Sequence, residues 1–216
     1  MSGALFDGRR SGRGLVPAAF ILVVCGIFSG GCSRTWLHSV APEDLPDTAK
    51  WIRGIALPPA DRNVCGPQAL AAALRHAGDP VAVNDLVNAC SNPGAATLLE
   101  LSLIARARGL QTKMVSGRAE ALPAAIDSGR PLIVALEVTP FIHINDVLPL
   151  FRMKPRYHCF LVVGYDSATG APLFATTGAA LETTTRKALI RRWRATDFAG
   201  LLVAGKDSTL GLVGRR

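Results

Sequence analysis

The order of hydrophobic periods limits the architecture of this chain more than any other feature. Apolar residues recur at helical spacing between residues 65 and 109, and they gather into compact strand-like runs afterwards. A first helical pattern starts at Cys65, with Pro67 suited to a first turn, Leu70, Ala73 and Leu74 on one face, and Gly78 closing it. A second, shorter pattern covers residues 83–90 and ends at Asn92-Pro93-Gly94. Thr97 and Glu100 have capping-box spacing ahead of Leu98, Leu101, Leu103 and Ile104, and Gly109 ends that third helix. Strand-like runs follow at 110–115, 131–138, 158–165, 173–177 and 201–204, with short helical patterns at 122–128 and 183–193. Residues 139–157 hold Pro140, Pro149 and Pro155 and read as a loop, and 166–170 as a turn. Helices first and strands later predict an α+β domain with no internal repeat.

Ahead of that domain stands a targeting pattern. Arg9, Arg10 and Arg13 form a positive n-region, and residues 15–28 make an apolar stretch shorter than the ~20 residues of a spanning helix. Small residues Ser29-Gly30-Gly31 follow, and then Cys32. The pattern resembles a bacterial lipoprotein signal, in which the cysteine is acylated and becomes the first mature residue. Ser29 departs from it, since an aliphatic residue usually stands there. A secretory signal with an incidental cysteine, or a short uncleaved anchor, is the plainer alternative. Ser33 after the cysteine implies, by the same resemblance, the outer membrane facing the periplasm. The expected organisation is a signal peptide at 1–31, a tether and lead-in at 32–56 bearing Pro42 and Pro46, one ordinary-sized domain at 57–205, and a tail at 206–216.

Charge narrows the partners. Lys+Arg number 24 against Asp+Glu 16, a formal net charge of +8. Arg186, Lys187, Arg191, Arg192 and Arg194 crowd one segment, which reads as a solvated helix face. An anionic membrane or nucleic acid would suit that balance equally. The chain has no RNA-binding aromatic signature, zinc-finger spacing or basic heptad, so no nucleic-acid partner is expected.

Three cysteines remain beyond the leader: Cys65, Cys90 and Cys159. No C-x-x-C pair occurs, so no structural zinc site is expected, and no phosphate-cradling loop implies a nucleotide. Cys65 stands where the loop 61–64 turns into a helix, near free N–H groups and the positive end of the dipole. That setting favours the thiolate a nucleophilic cysteine needs. Cys90 and Cys159 sit in apolar periodic stretches and read as buried structural cysteines; position alone leaves that reading open for Cys65 too. A thiolate nucleophile needs a base. His38 lies in the tether, and His76 is eleven residues along the same helix, about 16 Å away at a 1.5 Å rise. His158 opens a β-rich run that would hold its ring rigidly, whereas His143 lies in the proline-bearing loop and is the reserve candidate.

The stretch Cys65-Gly66-Pro67-Gln68-Ala69-Leu70-Ala71 resembles the nucleophile helix of the bacteriocin leader-processing, or double-glycine, peptidases, a papain-like cysteine peptidase family. His158-Cys159-Phe160-Leu161-Val162-Val163-Gly164-Tyr165-Asp166 is similar to that family's histidine strand, and the intervening elements fall in the family's order. The resemblance spans residues 57–203. It implies a papain-like fold, with N-terminal helices, the nucleophile helix first, packed on a C-terminal antiparallel sheet. It also implies Cys65 as nucleophile, His158 as base, no cofactor and a peptide or protein substrate.

Two positions depart from the family. Ala60 and Pro59 stand where a glutamine amide usually helps stabilise the oxyanion, and such a donor is worth about 2.7–4 kcal/mol. The strand after the histidine strand ends Phe174-Ala175-Thr176-Thr177-Gly178, without the usual Asp or Asn. Asp166 would lie about 26 Å from His158 on one strand, so a hydroxyl of Thr176 or Thr177, or a backbone carbonyl, is left to orient the imidazole. The leading expectation is an envelope-anchored thiol peptidase working through a thioester acyl-enzyme. A degenerate peptide-binding or scaffold module is the alternative, and an acyltransferase or amidase keeps the thiol chemistry with another acceptor.

Overall fold

Continuous apolar runs such as residues 131–138 and 158–165 suit strands covered on both faces, because neither side of such a strand can face water cheaply. The computed structural model has that arrangement; it describes residues 36–60, 64–138 and 156–205. The expected signal peptide, Cys32, residues 61–63, His143 and the expected tail at 206–216 lie outside the described residues.

Eight strands form one antiparallel sheet: β1 (His38–Val40), β2 (Ala49–Trp51), β3 (Gln111–Val115), β4 (Leu132–Glu137), β5 (Tyr157–Asp166), β6 (Pro172–Ala175), β7 (Leu181–Thr183) and β8 (Gly200–Ala204). Their order is β1-β7-β6-β5-β4-β8-β3. β4 pairs with the first part of β5 and β2 with its last part, so the ten-residue β5 is flanked along its whole length. Gly164 is where this crowding is greatest. A Cβ there would stand 2.5 Å from Trp51 Cβ and 2.7 Å from the Lys50 carbonyl oxygen, so β2 can lie against β5 only because the position is glycine.

Among the described residues, five α-helices cover the two faces. α1 (Cys65–His76), α2 (Val83–Ala89) and α3 (Leu98–Ala107) pack with Ile133, Leu161, Val163, Leu201 and Val203 on one side. α4 (Ala121–Asp127) and α5 (Arg186–Arg194) pack with Leu132, Val134, Phe160, Val162 and Leu202 on the other. Neighbouring residues of β4, β5 and β8 therefore enter opposite cores, as a period of two requires. Each Leu fully buried here contributes about 1.5–3 kcal/mol. In α1 the unbroken buried run Ala69–Leu74 is mostly alanine, and the small side chains let the helix lie close on β5.

The capping box of α3 is complete. Thr97 Oγ1 accepts from the Glu100 backbone N–H at 3.1 Å, and the Glu100 carboxylate accepts from the Thr97 and Ser91 backbone N–H groups. Its buried stripe is Leu98, Leu101, Ser102 and Ala105, whereas Leu103 is exposed. Ser102 faces in because its hydroxyl bonds Thr112 Oγ1 of β3 at 2.7 Å.

Three further differences have clear causes. Residues of the expected tether and lead-in are built into the sheet as β1 and β2, paired with β7 and β5. The helical pattern at 183–193 begins later, after β7, at the Thr185 N-cap, whose side chain accepts from Ala188 N–H. Arg192 does not belong to the solvated face of α5. It is buried, stacked 4.3 Å from the Trp36 ring centre, and donates to the Glu137 carbonyl at 2.8 Å.

Candidate functional site

Cys65 is the first residue of α1, half-buried, in the turn whose N–H groups have no partner within the helix. β5 lies against α1, and its second and third residues, His158 and Cys159, reach the sulfur. The Cys159 backbone N–H donates to Cys65 Sγ at 3.3 Å. The Cys159 thiol and the His158 side chain both hydrogen-bond the same sulfur. His158 is held from two directions. Its strand position is paired with Leu136 of β4, and its ring packs on Phe160 at 4.8 Å. Phe160 in turn contacts Phe174 at 5.2 Å and Trp36 at 5.7 Å.

This surrounding lowers the Cys65 thiol to about 4. The Cys159 thiol's hydrogen bond acts most strongly, followed by the hydrogen bond and charge of His158 and by the Cys159 backbone N–H, while partial burial opposes them. Cys159 moves the other way, well above the ordinary thiol range, because it gives its hydrogen bond to Cys65, is buried, and faces the Cys65 charge. The pair therefore holds one thiolate and one thiol, with the charge on Cys65 beside the imidazole. Cys90 stands apart in the α1–α3 core, its thiol pushed up by burial and by the Glu100 carboxylate. A thiolate next to an imidazole can attack an electrophilic carbon and then see its leaving group protonated.

Other candidate residues fall elsewhere. Thr176 Oγ1 donates to the Ala180 carbonyl at 2.5 Å and accepts from Gly178 N–H, closing the turn after β6. Thr177 is exposed in that turn. Asp166 ends β5, where Thr48 Oγ1, the Ala168 and Thr169 N–H groups and the Thr169 hydroxyl bond its carboxylate. His76 meets the Gly129 carbonyl oxygen at 3.0 Å, and His38 lies in β1 opposite Thr183. Gln68 ties Pro58 down through its side-chain amide at 3.1 Å, and Leu57 N–H donates to the Thr176 carbonyl, so the chain ahead of α1 is held at residues 57–58. Among the described residues no group of three or more His, Cys, Asp or Glu side chains could hold a metal ion.

The residue that sequence reasoning missed is Cys159. It is expected to be a buried structural cysteine, yet it sits against Cys65 and contributes two hydrogen bonds to its sulfur. Its adjacency to His158 was the only hint, and alternation along the strand argues against it, since successive side chains point to opposite faces.

Comparison with known proteins agrees with this architecture. No curated protein matches the sequence. The crystal structure of the peptidase domain of Streptococcus ComA, a bifunctional ABC transporter involved in a quorum-sensing pathway, superposes with a TM-score of 0.51 at 18% identity. That match covers 69% of this chain and 96% of the other. A putative C39-like peptidase from Bacillus anthracis gives a TM-score of 0.52 at 14% identity, covering 79% of this chain and 100% of the other. At such identities these likenesses show the fold, which is that of papain-like peptidase domains. The model of the Peptidase_C39 like family matches residues 47–201, spanning α1, β5 and the site between them, and the chain belongs to that family.

Proposed function

We propose that this protein is an envelope-anchored thiol peptidase with Cys65 as nucleophile and His158 as general base and acid. The observation that carries the reading is the Cys65 sulfur at the start of α1, hydrogen-bonded by His158 and Cys159. The Cys65 thiolate attacks a peptide carbonyl carbon, forming the S–C bond and placing charge on the carbonyl oxygen. The backbone N–H of Cys65, in the first turn of α1, is the available donor for that oxygen. As the intermediate collapses, the C–N bond breaks and the protonated imidazole gives its proton to the leaving amine. Water then attacks the thioester, His158 takes its proton, and the acid leaves with the thiolate restored. Extended, flexible peptides with small residues are the substrate class, and acylation of Cys32 holds the protein at the outer membrane, facing the periplasm.

A second reading has its own observation. Pro59 and Ala60 supply no side-chain amide, and the Thr176 hydroxyl is engaged by Ala180, which favours a peptide-binding module without turnover. Incubating the protein with a defined peptide mixture and following products by mass spectrometry separates the two. New termini that vanish with Cys65→Ala and with His158→Ala support the peptidase. Peptides retained uncut by the wild type and by Cys65→Ala alike refute it in favour of the module. For the anchor, incorporation of labelled palmitate that is lost with Cys32→Ala is the expected result.

A further inference from the structure

Cys159 has no place in the hydrolytic cycle above, yet its backbone N–H lies 3.3 Å from the Cys65 sulfur. Cys90 and Cys159 both pack against the apolar core under α1. Cys159 differs in presenting both its backbone N–H and its thiol to a second free sulfur.

We propose that Cys65 and Cys159 form a redox dithiol, in which a hydroperoxide oxidises Cys65 and Cys159 closes a reversible disulfide onto it. The geometry permits the bond. With 3.3 Å between the Cys159 nitrogen and Cys65 Sγ, and ordinary bond lengths on either side, the two Cα atoms can be no more than about 7.5 Å apart. Disulfides span about 4.4–6.8 Å, so a shift of about an ångström at most brings the pair into range. α1 supplies one sulfur from its first residue and β5 the other from near its start, both at element ends where such a shift is easiest.

The chemistry balances in two steps. The Cys65 thiolate attacks one oxygen of the hydroperoxide, the O–O bond breaks, and sulfenic acid forms while the alcohol or water leaves with a proton from the medium. Cys159 then loses its proton and attacks the Cys65 sulfur; the S–S bond forms and the S–O bond breaks, releasing water. Cys65 is oxidised twice over by one hydroperoxide, and the second equivalent passes to Cys159. Electrostatics set the order. While Cys65 is a thiolate, its charge and hydrogen bond keep Cys159 protonated and silent. Sulfenic acid is uncharged, so its formation removes that restraint and releases the second thiol when it is needed.

The disulfide stands on the dithiol alone, whereas its consequence, a peptidase switched off until a thiol reductant restores it, rests on the proposed role of Cys65. The test keeps these separate by reading mass rather than hydrolysis. The full chain is treated with hydrogen peroxide, free thiols are alkylated, and tryptic peptides are analysed. The expected product joins residues 63–75 to residues 157–186 and weighs 2 Da less than the two peptides together. Dithiothreitol should abolish it. In Cys159→Ser the crosslink is absent, and a sulfenic-acid probe should label Cys65 instead, with sulfinic acid accumulating on longer exposure. In Cys90→Ser the crosslink should persist. Direct overoxidation of Cys65 in the wild type without the crosslink, or a crosslink that requires Cys90, would overturn the proposal.

Discussion

Alkylation of Cys65 by iodoacetamide across pH 5–9 tests the electrostatics of the site more sharply than any rate at a single pH. The thiol falls from an ordinary value of 9.0 to about 4. At pH 6 an ordinary thiol is about 0.1% thiolate, whereas Cys65 is almost wholly ionised, a gain of about a thousandfold. Low basicity weakens the nucleophile, and a Brønsted slope of about 0.4–0.5 over five units returns about 100- to 300-fold of that gain. Cys65 should therefore react only about 3- to 10-fold faster than an ordinary thiol at pH 6. By pH 8, where the thiolate advantage has shrunk to about tenfold, it should react more slowly than one. The speed misleads and the shape decides. The rate at Cys65 should stay flat between pH 5.5 and 8, while an ordinary thiol gains about tenfold per unit. Peptide-resolved mass spectrometry reads Cys65 and Cys90 in the same sample. His158→Ala removes one hydrogen bond and one positive charge, so the midpoint should rise and the profile acquire a slope. A wild-type profile that climbs tenfold per unit through pH 6–8 would refute the thiolate assignment and everything built on it.

Three further outcomes follow from the fold. Gly164→Ala would press a methyl group into Trp51 Cβ and the Lys50 carbonyl, so chemical denaturation should show a loss of about 1–3 kcal/mol. Arg192→Ala should destabilise by about 1–3 kcal/mol, because it removes the stack on Trp36 and the hydrogen bond to the Glu137 carbonyl. Lys187→Ala, on the exposed side of α5, should stay within about 0.5 kcal/mol in the same assay. Asp166 is held below the usual carboxylate value of 3.8 by hydrogen bonds from Thr169 and Thr48, so its ionised form is favoured by folding. That contribution is complete above the unfolded value and is lost as pH falls through the lower folded value. Melting temperatures of Asp166→Asn should accordingly lie beneath those of the wild type at pH 7 and approach them as the pH falls below 3.8.

Most of the helices and the long strands were legible because glycine, proline and caps punctuate them. Gly78 and Gly109, both at positive φ, close α1 and α3 where left-handed backbone is needed. Elements of three residues were not legible, since β1, β2 and β7 are shorter than the four to eight residues over which alternation can be read. They exist because β5, β6 and β7 offer edges to β2, β7 and β1 respectively, which is a tertiary cause. α3 carries leucine at 98, 99, 101 and 103, so two stripes competed, and the Ser102–Thr112 hydrogen bond favours the one that buries Ser102. Arg192 looked like one more surface charge because its partners, Trp36 and Glu137, are remote in sequence.

The candidate site divides along the same line. Cys65 could be read from a local rule, a cysteine at the start of a helix carrying Pro67, and His158 from its place at the head of a β run. Cys159 could not, because strand alternation argues against it. His158 lies on the side of Phe160, and Cys159 on the side of α1 with Leu161 and Val163, so a single face should not hold both. The resolution lies in where α1 begins. Its first residue sits against the start of β5, where an imidazole can reach around the strand to a sulfur that the next residue approaches directly. A helix shifted along β5 by one turn, about 5.4 Å, would lose one contact or the other. The small residues of α1 are therefore more than filler: by fixing how closely and at what register the helix lies on β5, they decide that Cys65 meets a base and a second thiol together.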